Sequence, residues 1–150
     1  MTVEPPRLQV QGTAVAIDGA GVLLRGPSGA GKSSLALRLI DEGAVLIADD
    51  LAEIRRDGCR LTIDLPAAVD PRFRGAIERR GHGILEIPCF GAAPLALVVD
   101  LRPGGGAGES CGSIELLGLA LPLAVLDPFP PDAPARLKDC LRKKPYGSEK

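Results

Sequence analysis

Gly26-Pro27-Ser28-Gly29-Ala30-Gly31-Lys32-Ser33 fits the phosphate-binding pattern G-x-x-x-x-G-K-[ST] at every required position. Each residue type has a reason to be there. Gly26, Gly29 and Gly31 let the backbone wrap closely and aim successive N–H groups at phosphate oxygens. Lys32 supplies a point charge for the β- and γ-phosphates, and Ser33 offers a hydroxyl to Mg²⁺. Pro27, Ser28 and Ala30 complete the loop. The positive end of the helix that follows favours anions as well.

The flanks turn the pattern into a fold. Gly21-Val22-Leu23-Leu24-Arg25 reads as the strand before the loop, and Ser34 to Ile40 as the helix after it. Leu35 with Leu39, and Ala36 with Ile40, make one apolar stripe. Gly43 is the expected stop. Ala44-Val45-Leu46-Ile47-Ala48 then reads as a buried parallel strand, expected beside the loop's own strand. Upstream, Thr13 to Ile17 and Val22 to Arg25 flank Asp18-Gly19-Ala20-Gly21 as a hairpin. A hairpin feeding the loop is not the arrangement of the simplest P-loop proteins.

Downstream, Leu51 to Arg56 and Cys59 to Ile63 flank the turn dipeptide Asp57-Gly58. Ile77 to Arg80 reads as a short helix or turn, Ile84 to Ile87 as a strand, and Leu95 to Leu101 as a buried strand. Residues 103–113 read as a glycine-rich loop. Ile114 to Val125 reads as two short strands about Gly118, and Pro134 to Arg142 as a last helix. Residues 1–7 and 143–150 are expected to be loose ends of a single domain covering 1–150.

Composition narrows the function classes. A formal net charge of −1 gives no general attraction to nucleic acid or to an anionic membrane. The apolar stretch Leu116 to Leu126 is broken by Gly118 and Pro122 and is too short to span a bilayer. Met1 to Val10 lacks the basic and apolar regions of a secretory signal, so the cytoplasm is the expected compartment. Cys59, Cys89, Cys111 and Cys140 form no C-x-x-C, and His82 is the sole histidine, which argues against structural zinc. The chain contains no Asn, which removes the Asn-Lys-x-Asp guanine-reading motif of GTPases.

Asp49-Asp50 is the second chemical feature. Adjacent carboxylates at the end of an apolar strand suit phosphoryl transfer, where one orients or deprotonates the acceptor and another supports Mg²⁺. Asp100 also ends an apolar strand and reads equally as a magnesium-supporting aspartate or a plain strand-end carboxylate. Arg79-Arg80 could stabilise charge on a transferring phosphoryl group or simply be solvated.

Together these stretches resemble a family. The phosphate loop, Leu46-Ile47-Ala48-Asp49-Asp50 and Glu78-Arg79-Arg80-Gly81-His82-Gly83-Ile84 resemble the catalytic domain of bifunctional HPr kinase/phosphorylase, particularly its short alphaproteobacterial-type form. The resemblance runs from about Leu8 to Arg142. It implies an α/β fold: a P-loop domain of the HPr kinase/phosphoenolpyruvate carboxykinase type, with a mixed central sheet and few helices. It also implies ATP-dependent phosphorylation of a serine on the phosphocarrier HPr, with phosphorolysis in reverse, regulating phosphotransferase-system signalling. Gly26 to Ser33 would hold ATP, with Lys32 also catalytic. Asp49 would be general base, Asp50 and Ser33 would face Mg²⁺, and Arg80 would be the active-site arginine. Longer members are homo-oligomers.

The chain departs from the family pattern in places. Gln11 stands where the family has His before a glycine, Ser34 where an acidic residue follows the loop serine, and His82 where the Leu of Arg-Gly-Leu-Gly is expected. The Arg-rich loop implicated in phosphorolysis is not recognisable, residues 103–113 occupying its neighbourhood, so the kinase direction is expected ahead of phosphorolysis. Two alternatives stay open: a small-metabolite P-loop kinase, and an ATP-binding regulatory module with little turnover.

Overall fold

The computed structural model describes residues 6–27, 29–66, 76–79, 83–86, 91–104 and 110–142. The chain runs β1 (Arg7–Gln11), β2 (Thr13–Ile17), β3 (Ala20–Arg25), α1 (Lys32–Asp41), β4 (Val45–Ala48), β5 (Leu51–Asp57) and β6 (Arg60–Asp64). It continues with β7 (Ala76–Arg79), β8 (Gly83–Glu86), β9 (Ala93–Leu101), β10 (Ser110–Leu116), β11 (Leu119–Leu126) and α2 (Ala133–Arg142). Among the described residues nine strands form one mixed sheet in the order β1-β5-β6-β9-β3-β2-β4, with β11 on the carboxyl half of β9 and β10 outside it. β7 and β8 make a separate hairpin.

Period-two alternation divides the core between the faces of this sheet. Val15, Val22, Leu24, Leu97 and Val99 face Leu35, Ala36 and Leu39 of α1 and Leu137 and Cys140 of α2. Ala14, Ala16, Leu23, Ile47 and Val98 face the other way, against Ile54, Leu61 and Ile63. The sheet therefore curls until β5 and β6 cover its second face. Gly21 allows the close approach this needs, since a Cβ there would lie 2.7 Å from Ile63 Cγ2 and 2.9 Å from the Pro94 carbonyl.

Local signals account for the connections. Asp18 and Gly19, both at positive φ (51° and 84°), make the tight turn between β2 and β3 that matches strand twist. α1 ends in a Schellman motif, the Gly43 and Ala44 amides donating to Ile40 and Leu39 carbonyls at 3.0 Å with Gly43 at φ 111°.

Several expectations need correction. β4 does not lie beside β3; β2 sits between them, antiparallel to both. The hairpin behind the loop occupies the neighbouring slot, and β3 finds its parallel partner in β9 instead. Of the helix or turn expected at 77–80, residues 77–79 lie in the strand β7, and Arg80 lies outside the described residues. The glycine-rich loop expected over 103–113 ends earlier, because Ser110 to Ser113 pair with β11. The loose lead ends earlier too: Arg7 opens β1, paired antiparallel with β5, and the Arg56 amide donates to the Pro6 carbonyl. The second hairpin pairs Asp57 with Arg60, so its turn is Gly58-Cys59, one residue later than expected.

β3, β9 and β11 run parallel, and β4 runs the same way. Their carboxyl ends share one edge, the edge at which α/β sheets bind ligands.

Candidate phosphoryl-transfer site

The loop leaves β3 at Gly26 and enters α1 through Gly31, which caps the helix in the left-handed region at φ 97°. The Ala30 amide donates to the Pro27 carbonyl at 2.9 Å, closing the loop on itself. Lys32 folds back across it, its Nζ donating to the Gly26 carbonyl at 2.7 Å and the Pro27 carbonyl at 3.1 Å. The ammonium thus lies over the loop's own backbone. Gly26 is crowded as well: a Cβ would stand 3.0 Å from Ala30 Cβ and 3.4 Å from the Leu101 carbonyl. Ser28 lies outside the described residues.

Asp49 follows β4 and meets the loop from the side. Its Oδ1 accepts a hydrogen bond from Ser33 Oγ at 2.9 Å and another from Thr13 Oγ1 at 2.9 Å. Thr13 is fully buried, so its hydroxyl has a fixed direction. Asp50 is exposed and sits at φ 75°, a conformation costing a non-glycine residue about 1–2 kcal/mol. Its carbonyl accepts the Gly12 amide at 3.0 Å. Gly12 and Thr13, at the junction of β1 and β2, therefore hold the backbone of one aspartate and the side chain of the other.

Thr13 is a site residue that sequence reasoning missed. A lone threonine opening a strand carries no signal, and only the placement of β4 beside β2 brings it to Asp49. Gly12 had a weak signal in Gln11-Gly12. A side chain there would strike the Leu24 carbonyl at 2.6 Å and Leu23 Cδ1 at 2.9 Å.

Asp100 has its carboxylate engaged by a side chain of the neighbouring strand. It pairs across the sheet with Arg25 through a bidentate contact, Nε to Oδ1 at 2.7 Å and Nη2 to Oδ2 at 3.0 Å. Arg80 and His82 lie outside the described residues. The backbone of β7, which leads to Arg80, runs within 8 Å of α1.

The donor set fits magnesium. Ser33 Oγ, Asp49 and the neighbouring Asp50 supply only hard oxygens, and Mg²⁺ is usually held by one or two carboxylates together with substrate phosphates. No cluster of three or more His, Cys, Asp or Glu able to hold a metal occurs among the described residues.

The family model described as HPr Serine kinase C-terminal domain matches residues 5–99. An HPr kinase/phosphorylase of Caldicellulosiruptor bescii is 36% identical over 134 residues, covering 81% of this chain and 42% of that relative. One of Caldanaerobacter subterraneus is 43% identical over 99 residues, 64% of this chain and 32% of its own length. The chain thus spans about two fifths of the length of the first of these relatives. The structure of the HPr(Ser) kinase/phosphatase from Coxiella burnetii superposes with a TM-score of 0.76 at 22% identity, covering 90% of this chain and 94% of that one; the shared fold is what that likeness shows. No helix among the described residues is long and apolar enough to cross a membrane. With a family match over most of its length and a mixed P-loop sheet beneath it, the chain belongs to the HPr serine kinase C-terminal domain family.

Proposed function

We propose that this protein is an ATP- and Mg²⁺-dependent protein serine kinase acting on an HPr-type phosphocarrier. The observation that carries the reading is the Ser33 Oγ–Asp49 Oδ1 contact of 2.9 Å, which joins phosphate loop and aspartate pair into one site. Gly26 to Ser33 would hold the phosphates, with Lys32 neutralising charge that grows on the transferring group. Mg²⁺, when bound, supplies charge neutralisation at the phosphate oxygens.

In this reading Asp49 accepts the proton of the acceptor serine as its oxygen bonds to the γ-phosphorus. The bond to the β,γ-bridging oxygen breaks and ADP leaves. Phosphorolysis would run these steps backwards with inorganic phosphate and yield pyrophosphate. Asp50 would face the metal, and Arg80 the phosphoryl oxygens. The hydrogen bond from Ser33 favours one exchange of roles, with Asp49 on the metal side and exposed Asp50 towards the acceptor.

The small-metabolite kinase reading loses support, since β4 leads into the β5–β6 hairpin rather than a helix. Gln11 and Ser34 keep the regulatory module in play. One assay separates these readings. The protein, ATP, Mg²⁺ and an HPr-type phosphocarrier are incubated, and phosphoserine is measured. Phosphoserine that vanishes in Asp49→Asn supports the kinase; ATP binding with no transfer supports the module. Mg²⁺ titration of ATP binding by Asp49→Asn and by Asp50→Asn assigns the roles, because the metal-side variant needs more Mg²⁺ for half-maximal binding.

A further inference from the structure

From the segment that follows β11, we propose that Phe129 is the stacking seat for the nucleobase of the bound nucleotide. This rests on the nucleotide reading above and deepens it. Phe129 is 55% exposed, an unusual state for a phenylalanine. Its ring nevertheless has a defined place against the phosphate loop. A Cβ on Gly31 would come 3.2 Å from Pro128 Cγ and 3.3 Å from Phe129 Cε1 and Cζ. The outer atoms of the ring, Cε1 and Cζ, lie beside Gly31, and more than half of the residue stays open to solvent next to the loop.

The segment is built to stay where it is. Arg38 of α1 donates from Nη1 to the Pro128 carbonyl at 2.5 Å and from Nη2 to the Pro130 carbonyl at 2.7 Å. Asp127 accepts the Phe129 amide on Oδ1 and the Gly104 amide on Oδ2, both at 3.1 Å. Pro128, Pro130 and Pro131 restrict the backbone further. An aromatic presented this way loses little entropy on binding.

Strand order supplies the direction. Asp49 reaches Ser33 from the β2–β4 side of β3, so the metal and transferring phosphate belong on that side. The rest of the nucleotide must leave the loop away from it. On the other side of β3 lie β9 and β11, and Phe129 stands just past the carboxyl end of β11. The carbonyls of Pro128 and Pro130 and the Asp127 carboxylate are already hydrogen-bonded, so this segment offers the base a π-face. Phe129 is thus a binding residue for the nucleoside, remote from the transferring phosphate.

The test compares ATP with inorganic tripolyphosphate, which carries the phosphates and no base. Phe129→Ala and Phe129→Leu should each weaken ATP about tenfold, the scale of one base–aromatic stack, and leave tripolyphosphate within about twofold. Phe129→Leu keeps apolar packing on Gly31, so a loss there reports the ring. Phe129→Trp creates the chain's sole tryptophan; its fluorescence should be quenched by ATP and unmoved by tripolyphosphate. The proposal is overturned if both ligands bind, the Ala and Leu variants keep wild-type ATP affinity, and the Trp variant gives no ATP-specific signal. If neither ligand binds the wild-type protein, the nucleotide reading itself fails, and this one with it.

Discussion

Thr13 Oγ1 and Ser33 Oγ donate to the same oxygen, Oδ1 of Asp49, each at 2.9 Å. One hydroxyl comes from the first strand of the hairpin behind the phosphate loop and the other from the loop's own helix. The carboxylate is thereby held between two elements, and its orientation is decided before any substrate arrives. Preorganisation of this kind is what a group active in phosphoryl transfer requires.

Thr13→Val removes one of these donors at nearly constant volume. A hydrogen bond to a charged group contributes about 1.5–3 kcal/mol. Phosphoryl transfer should therefore fall roughly ten-fold or more, while ATP affinity stays within about twofold. Steady-state kinetics beside equilibrium binding checks this; unchanged kcat would remove Thr13 from the site.

Lys32→Met leaves the fold intact, because among the described residues the ammonium bonds two loop carbonyls. Binding of ATP and of tripolyphosphate should weaken together, by roughly ten- to a hundred-fold for a lost charge-assisted contact. Calorimetric titration of both ligands measures it. A loss confined to kcat would show that Lys32 acts in the transition state alone.

Gly12→Ala drives a methyl group into the Leu24 carbonyl and disturbs the amide that holds Asp50. Overpacking of this sort costs about 1–3 kcal/mol. A lowered urea midpoint with the m-value unchanged is expected, together with lower kinase activity, since the aspartate turn shifts.

Asp100→Asn separates the two meanings of a strand-end aspartate. Its pair with Arg25 is about one third exposed on both sides, so the stability cost should stay near 0–1 kcal/mol. The Mg²⁺ concentration for half-maximal activity should not move. A clear rise in that concentration would return Asp100 to the metal.

Leu39→Ala empties part of the α1–sheet core, where Leu39 is fully buried. A loss of about 2–5 kcal/mol is expected. Nucleotide affinity of the folded fraction should be unaffected, because Leu39 lies on the helix face turned away from the loop's ligands.

Much of this protein was legible in its residues because the signals are local. The glycine spacing and Lys32-Ser33 specify a phosphate loop through backbone reach and charge. The apolar stripe of Leu35, Ala36 and Leu39 specifies α1, and Asp18-Gly19 specifies a turn. Asp49-Asp50 stood out as a carboxylate pair ending an apolar strand. What tertiary structure decided was which of these parts meet. Sheet order is a long-range choice: β2, rather than β3, takes β4 as neighbour, which brings buried Thr13 to Asp49. Cross-strand register sets Asp100 opposite Arg25. The return of β11 beside β9, with Arg38 gripping the prolines beyond it, sets Phe129 against Gly31. None of these contacts has a local sequence signature, because each joins residues tens of positions apart through packing of the whole sheet.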